Sequence, residues 1–232
     1  MKTIGMIGGM SWESSAEYYR IINETVKARC GGLHSAQTLM WSFDFAEIEA
    51  LQSSGQWGEA TTHMVDAAQR LERGGAGLLI ICTNTMHKMA DAVQDAVGIP
   101  LLHIADATAD KVKQAGFQTI GLLGTRYTME QDFYRGRLEQ QGLSVLVPDA
   151  DDRMIINRVI YEELVLGTIE PSSKAEYIRI MQQLIADGAQ GIILGCTEIM
   201  LLIQQDDCAV PVFDTTTIHA VAAVDMALSC LV

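Results

Sequence analysis

The sequence is poor in several things that would mark a familiar class of protein. Its 16 Lys and Arg are set against 29 Asp and Glu, a net charge of −13. It therefore has no basic surplus with which to hold nucleic acid or an anionic membrane surface, and neither is expected as a partner. A small anionic substrate is not excluded, because backbone amides and hydroxyls can hold a carboxylate locally. No apolar run approaches the roughly 20 residues of a membrane-spanning helix. Met1-Lys2-Thr3-Ile4 leads straight into a strand pattern and Gly8-Gly9, unlike a secretory signal. The five cysteines, at 30, 82, 196, 208 and 230, are odd in number and contain no CxxC spacing. They suggest neither a disulfide framework nor a zinc site, and a reducing cytoplasm is the simplest setting. No Pro- or Ser-rich linker interrupts the chain.

What the chain does have is its own first half a second time. Lys2-Thr3-Ile4-Gly5-Met6-Ile7-Gly8-Gly9 returns as Gln118-Thr119-Ile120-Gly121-Leu122-Leu123-Gly124-Thr125. Gly77-Leu78-Leu79-Ile80-Ile81-Cys82-Thr83-Asn84-Thr85 returns as Gln190-Gly191-Ile192-Ile193-Leu194-Gly195-Cys196-Thr197-Glu198, and Ile99-Pro100-Leu101-Leu102 as Val210-Pro211-Val212-Phe213. In that register Thr83 stands opposite Cys196. The repeat implies two pseudo-symmetric lobes, residues 1–104 with 214–232 and residues 105–213, packed closely around a shared cleft. Two related halves that offer two reactive side chains to two faces of one small substrate have the geometry a stereoinverting enzyme needs.

Apolar strand-like runs alternate with helical patterns, as in α/β proteins with parallel sheets. Strands are expected at 3–7, 37–43, 77–82, 100–104, 119–123, 143–147, 191–195 and 210–213. Helices are expected near 13–29, 56–73, 87–96, 129–141, 153–166 and 172–187, with a crossover at 105–114 and a C-terminal helix over 216–231 packing on the first half. The fold class is α/β, two Rossmann-like lobes, each a mainly parallel sheet flanked by helices. Ligands of such sheets sit at the carboxyl ends of the strands.

The chemistry-bearing residues fall there. Cys196-Thr197-Glu198 follows a buried strand and is expected to open a helix, whose amides would favour an anion and lower the thiol pKa from about 8.5. A thiolate can take a proton from carbon. Alone, such a cysteine would read as a small buried hydrophobe; its repeat position and polar neighbours argue for chemistry. Thr83-Asn84-Thr85 suits a carboxylate cradle, although Thr and Asn are also good helix caps. Cys82, one residue earlier on an extended strand, is expected to face away from the cleft unless a bulge brings it in. Gly8-Gly9-Met10-Ser11 and Gly124-Thr125-Arg126 end the first strand of each half, and glycine there lets backbone approach a ligand. The spacing is not GxGxxG, and no acidic residue is evident at the end of the second strand, so no nucleotide cofactor is expected. Tyr18 and Tyr134, at matching helix positions, read as core. His87, His103 and His219 read as core or supporting residues, since no spacing makes a metal motif.

These motifs, above all Gly8-Gly9-Met10-Ser11, Asn84-Thr85 and Gly195-Cys196-Thr197-Glu198, resemble the cofactor-independent aspartate/glutamate racemases over essentially the whole chain. The resemblance implies racemisation by two bases, without pyridoxal phosphate or metal, and a homodimer. Cys196 then inherits the role of the second-lobe base. The family's first cysteine is Thr83 here, a weak base that can still donate a proton, so catalysis is expected to be biased toward one starting enantiomer. Met10, Ser11, Gln52, Asn84, Thr85, Thr125, Thr197 and Glu198 are the expected substrate contacts. The segment 44–55 has no Lys or Arg, and Gln52 stands in; Arg126 and Arg158 are the alternative sources of charge from elsewhere. The substrate is accordingly aspartate, glutamate or a neutral polar amino acid such as homoserine. The rivals are a maleate- or malonate-type isomerase or lyase, which Thr83 disfavours, and an amino-acid binding protein that has lost catalysis.

Overall fold

Leu78–Ile81 and Ile192–Gly195 are buried at every residue, as strands covered on both faces must be. They are the third strands of two parallel sheets. The computed structural model describes residues 1–229. The chain divides into one unit of residues 1–104 with the segment from His219 onward, and a second of residues 105–218.

In the first unit the order is β1 (Ile4–Gly8), α1 (Trp12–Cys30), β2 (Thr38–Ser42), α2 (Phe45–Ser53), α3 (Trp57–Arg73), β3 (Leu78–Ile81), a 3-10 turn (Thr85–Met89) and α4 (Ala90–Asp95). The sheet order is β2-β1-β3, all parallel, and Leu101 adds one bridge to Leu79. Period-two alternation sorts the side chains. Ile7, Leu79 and Ile81 pack with α3, while Ile4, Met6, Leu78, Ile80 and Cys82 pack with α1 and the last helix. Each aliphatic side chain so buried contributes about 1.5–3 kcal/mol.

After α5 (Ile104–Gln114), the second unit runs β4 (Thr119–Gly124), α6 (Arg126–Glu130), α7 (Arg135–Gln140), β5 (Ser144–Leu146), α8 (Ala150–Glu162), α9 (Pro171–Ala186), β6 (Ile192–Gly195), α10 (Ile199–Leu202) and β7 (Val212–Asp214). The order β5-β4-β6-β7, again parallel, repeats the first sheet with its Leu101 bridge grown into a strand. The last helix, α11 (Thr215–Leu228), carries its first four residues with the second unit and the rest with the first. Its Ala220, Ala223, Val224 and Ala227 pack on the β1 and α1 side chains. Cys230 and Leu231, both inside the expected C-terminal helix, lie outside the described residues.

Several boundaries differ from expectation. The strand expected at 100–104 is a single bridge at Leu101, because the chain is already helical at Ile104. The helix expected at 129–141 is two: Thr125 caps α6, and Gln131 then adopts extended angles, which turns Tyr134 inward. Tyr18 and Tyr134 are both fully buried, as expected of core, but Tyr134 caps a helix rather than lying within one. The helix expected at 153–166 starts at Ala150, where the Asp149 carboxylate accepts the Asp152 amide, and finishes as a 3-10 turn at Leu164–Leu166. α2 was not expected; Asp44 caps it, accepting the Ala46 amide at 3.1 Å.

Gly9 has φ +84°, and a Cβ there would lie 2.3 Å from the Phe43 carbonyl oxygen. Gly9→Ala should therefore destabilise the chain by at least the about 1–3 kcal/mol that strained backbone costs. Urea unfolding measures it; an unchanged midpoint would contradict this account.

Candidate active site

The two third strands end in polar loops of different chemistry. In the first unit, β3 is hydrogen-bonded along β1 as far as Cys82, whose amide donates to the Ile7 carbonyl at 2.8 Å. Cys82 turns into the apolar layer with Tyr18 and Ala220, and burial pushes its thiol pKa up. It faces away from the side on which Ile81 packs, as alternation requires. Thr83, 8% exposed, follows, then Asn84 and Thr85, both buried. Asn84 starts the 3-10 turn without a side-chain cap bond. Gln52, at the end of α2 and 4% exposed, donates from Nε2 to the Met86 Sδ at 3.1 Å. A helix that the sequence reading did not contain thus brings Gln52 to the segment that follows Thr83-Asn84-Thr85.

In the second unit, Gly124 and Gly195 pair across β4 and β6, and a Cβ on either would meet the other strand's carbonyl at 2.8 Å. Thr125 and Cys196 are therefore each one residue past neighbouring strand ends. The Cys196 thiol, 7% exposed, donates to Glu198 Oε2 at 3.0 Å, and Thr197 Oγ1 donates to the same oxygen at 2.8 Å.

This reverses one expectation. Burial, then the Glu198 charge and its hydrogen bond, hold the Cys196 thiol well above its ordinary pKa. The amides of Glu198 and Ile199 do pull it down, as a helix start should, but α10 is only four residues long and they are outweighed.

The glycine-loop residues serve the chain itself. Gly8 and Gly9 leave no room beside Ser15 and Phe43, Ser11 accepts the Ser14 amide at 3.4 Å as the cap of α1, and the Met10 side chain is in the core. Thr125 likewise caps α6 through the Thr128 amide. Asp44, two residues past β2, was overlooked as an acidic residue there, and its carboxylate is spent on capping α2. Arg158 is an exposed residue paired with Glu163 at 3.0 Å, and Arg126 packs over its neighbour Tyr127. Among the described residues, no contact brings either of them to Cys196. The sequence reading also missed Lys88, on the 3-10 turn after Thr83, whose ammonium lies 4.1 Å from the Trp57 ring centroid and whose pKa is lowered by burial.

The three histidines form a buried aromatic cluster. His219 Nε2 donates to the Leu102 carbonyl and its Nδ1 accepts from Tyr18 Oη, both at 2.9 Å. His87 lies 4.5 Å from His103 and 5.6 Å from His219, ring to ring. Among the described residues no group of His, Cys, Asp and Glu is placed to hold a metal, and no helix is long and apolar enough to cross a membrane.

Parallel sheets whose third strands end in short polar loops, one carrying a thiol hydrogen-bonded to a carboxylate, define an α/β protein with its polar side chains at the carboxyl ends of the strands. The chain belongs to the Asp/Glu/Hydantoin racemase family, whose model matches residues 7–223. It is similar to the crystal structure of a Yersinia pestis protein assigned as an Asp/Glu racemase, with 58% identity over 99% of this chain and 100% of the other and a TM-score of 0.93. An aspartate racemase homologue from Pyrococcus horikoshii is 36% identical over 98% and 99% of the two chains, with a TM-score of 0.85. The broad-specificity amino-acid racemase RacX of Bacillus subtilis is 23% identical over 72% of this chain and 71% of its own.

Burial lowers the His219 pKa to about 4. Its unfolded value is about 6.5, so the unfolded chain takes up a proton in this window and the folded chain does not. The stability is complete above about 6.5 and is lost, by about 3 kcal/mol, as pH falls toward 4. His219→Gln should flatten that acid limb in unfolding titrations; an unaltered slope would assign the acid sensitivity elsewhere.

Proposed function

We propose that the protein is an amino-acid racemase in which Cys196 and Thr83 exchange the Cα proton on opposite faces of the substrate, using side chains and water alone. The observation that carries it is the Cys196–Glu198 hydrogen bond of 3.0 Å at the end of β6, in the position that the sequence repeat matches to Thr83. The thiol passes its proton to the Glu198 carboxylate, and the thiolate takes Hα. Thr83, or water held by it, delivers a proton to the other face. The cycle closes when Thr83 regains a proton from water, Glu198 releases its own and the product leaves. Glu198 is then a proton acceptor for Cys196 rather than a substrate ligand. It also makes sense of a thiol whose resting state is neutral, since a local acceptor lets it ionise only in the reaction.

Asn84, Thr85 and Thr197 are the proposed cradle for the α-carboxylate, and Gln52 for the distal group. The Gln52 amide donates to a thioether, a weak acceptor. An amide donates to a hydroxyl or a carboxylate alike, so the proposed range spans aspartate, glutamate and homoserine, without the charge assistance a cation would add. Broad specificity in RacX is in keeping with such a distal group.

Racemisation has an equilibrium constant of one, so kcat/KM must be equal in the two directions. The bias between enantiomers that the Thr83/Cys196 pair introduces is confined to kcat and KM taken separately. The test is steady-state racemisation of both enantiomers of the three substrates, with wild type beside Glu198→Gln. Loss of the acceptor should lower kcat by about 10²-fold, the smaller end of general acid–base effects. Should Glu198 merely raise the thiol pKa, the variant would instead shift the ascending limb of the pH profile to lower pH and gain activity at neutral pH. Equal kcat from both enantiomers would sink the asymmetric pair, and no turnover of any substrate would favour a binding protein.

A further inference from the structure

The carbonyl of Thr83 is in an unusual position for a residue at the start of a helical turn. In an α-helix it would accept the amide of His87, four residues on. The turn here is 3-10, and the His87 amide goes to Asn84 instead, at 3.1 Å. The His87 ring replaces it: Nδ1 lies 2.7 Å from the Thr83 carbonyl oxygen. The other nitrogen, Nε2, accepts the backbone N–H of Ile104 at 3.2 Å. A ring nitrogen that accepts an amide proton carries none, so the imidazole is neutral with its proton on Nδ1, pointed at Thr83. The ring cannot tilt freely, since it packs against His103 and His219, and His219 is itself fixed by Tyr18 and Leu102.

We propose that His87 is the positioning residue for Thr83: anchored on the Ile104 amide, its Nδ1–H holds the Thr83 carbonyl and so sets where the Thr83 hydroxyl stands. Its consequence for catalysis rests on the proposed role of Thr83, but the tautomer and the hydrogen bond do not. The proposal separates two halves of one reaction. Cys196 exchanges Hα of the enantiomer that faces it without help from Thr83, whereas inversion requires delivery from the Thr83 face. Disturbing His87 should spare the first and impair the second.

Asparagine can place an amide N–H near Nδ1, and glutamine can place its amide oxygen near Nε2, so the two substitutions divide the ring's functions. His87→Asn should retain inversion, and His87→Gln should lose it by about 10²-fold, the usual effect of a small misplacement of a reacting group. The measurement is the ratio of Hα–deuterium exchange to inversion in D2O, starting from the enantiomer that exchanges faster, for wild type and both variants. The ratio should rise in His87→Gln and stay near wild type in His87→Asn. An unchanged ratio in His87→Gln, or exchange and inversion falling together in both variants, would overturn the proposal. Histidine 15N NMR of the wild type gives an answer independent of activity. An Nδ1-protonated neutral His87 supports the assignment, and an Nε2-protonated or doubly protonated ring refutes it. Absence of exchange in the wild type, with an Nδ1-protonated His87, would instead be the failure of the racemase reading.

Discussion

The constraint on which the structure depends is that β3 and β6 are covered on both faces. A strand so buried must be apolar from end to end, and polar chemistry can begin only at the residue where it leaves the sheet. The first such residues are Thr83 and Cys196. Each sheet also fixes what lies beside that exit: the end of its first strand, with Gly9 folded against Phe43 in one unit and Gly124 against Gly195 in the other. The position of the candidate site thus follows from the burial pattern of eight strand residues, before any functional residue is considered.

The same constraint explains how much of the molecule could be read from its sequence. The strands that carry the site, the parallel order and the repeat all follow from apolar runs and their glycine punctuation, and they match the sheets closely. Boundaries were missed where a side chain, not periodicity, decides them. Thr125, Asp149 and Asp44 each capture an amide and start a helix early, or start one where none was expected. The strand ends that carry the candidate residues were legible; the partners of those residues were not. That Glu198 turns to Cys196, that Gln52 reaches Met86, and that His87 serves the Thr83 carbonyl are consequences of side-chain directions and of a 3-10 register that no spacing rule encodes.

The thiol shows what such partners change. The sequence suggests a thiolate stabilised by helix amides, whereas burial and Glu198 keep Cys196 protonated at rest. The two views meet if the carboxylate that raises the pKa is also the group that receives the proton, for a base formed only when substrate is present does not need a low resting pKa. Thr83 is held by an equally local device on a neutral imidazole. The two halves of the repeat therefore keep one backbone plan with different polar groups on it, a thiol hydrogen-bonded to a carboxylate in one and a threonine on a histidine-tethered loop in the other, which the proposed reaction uses as proton donors and acceptors.

The central claim is that the Cys196 sulfur moves the Cα proton. Hα–deuterium exchange in D2O, followed by proton NMR for Cys196→Ala beside wild type, tests it most directly. The account predicts exchange in the wild type that disappears in Cys196→Ala while the variant still binds its amino acid. Exchange that persists without the sulfur would contradict it.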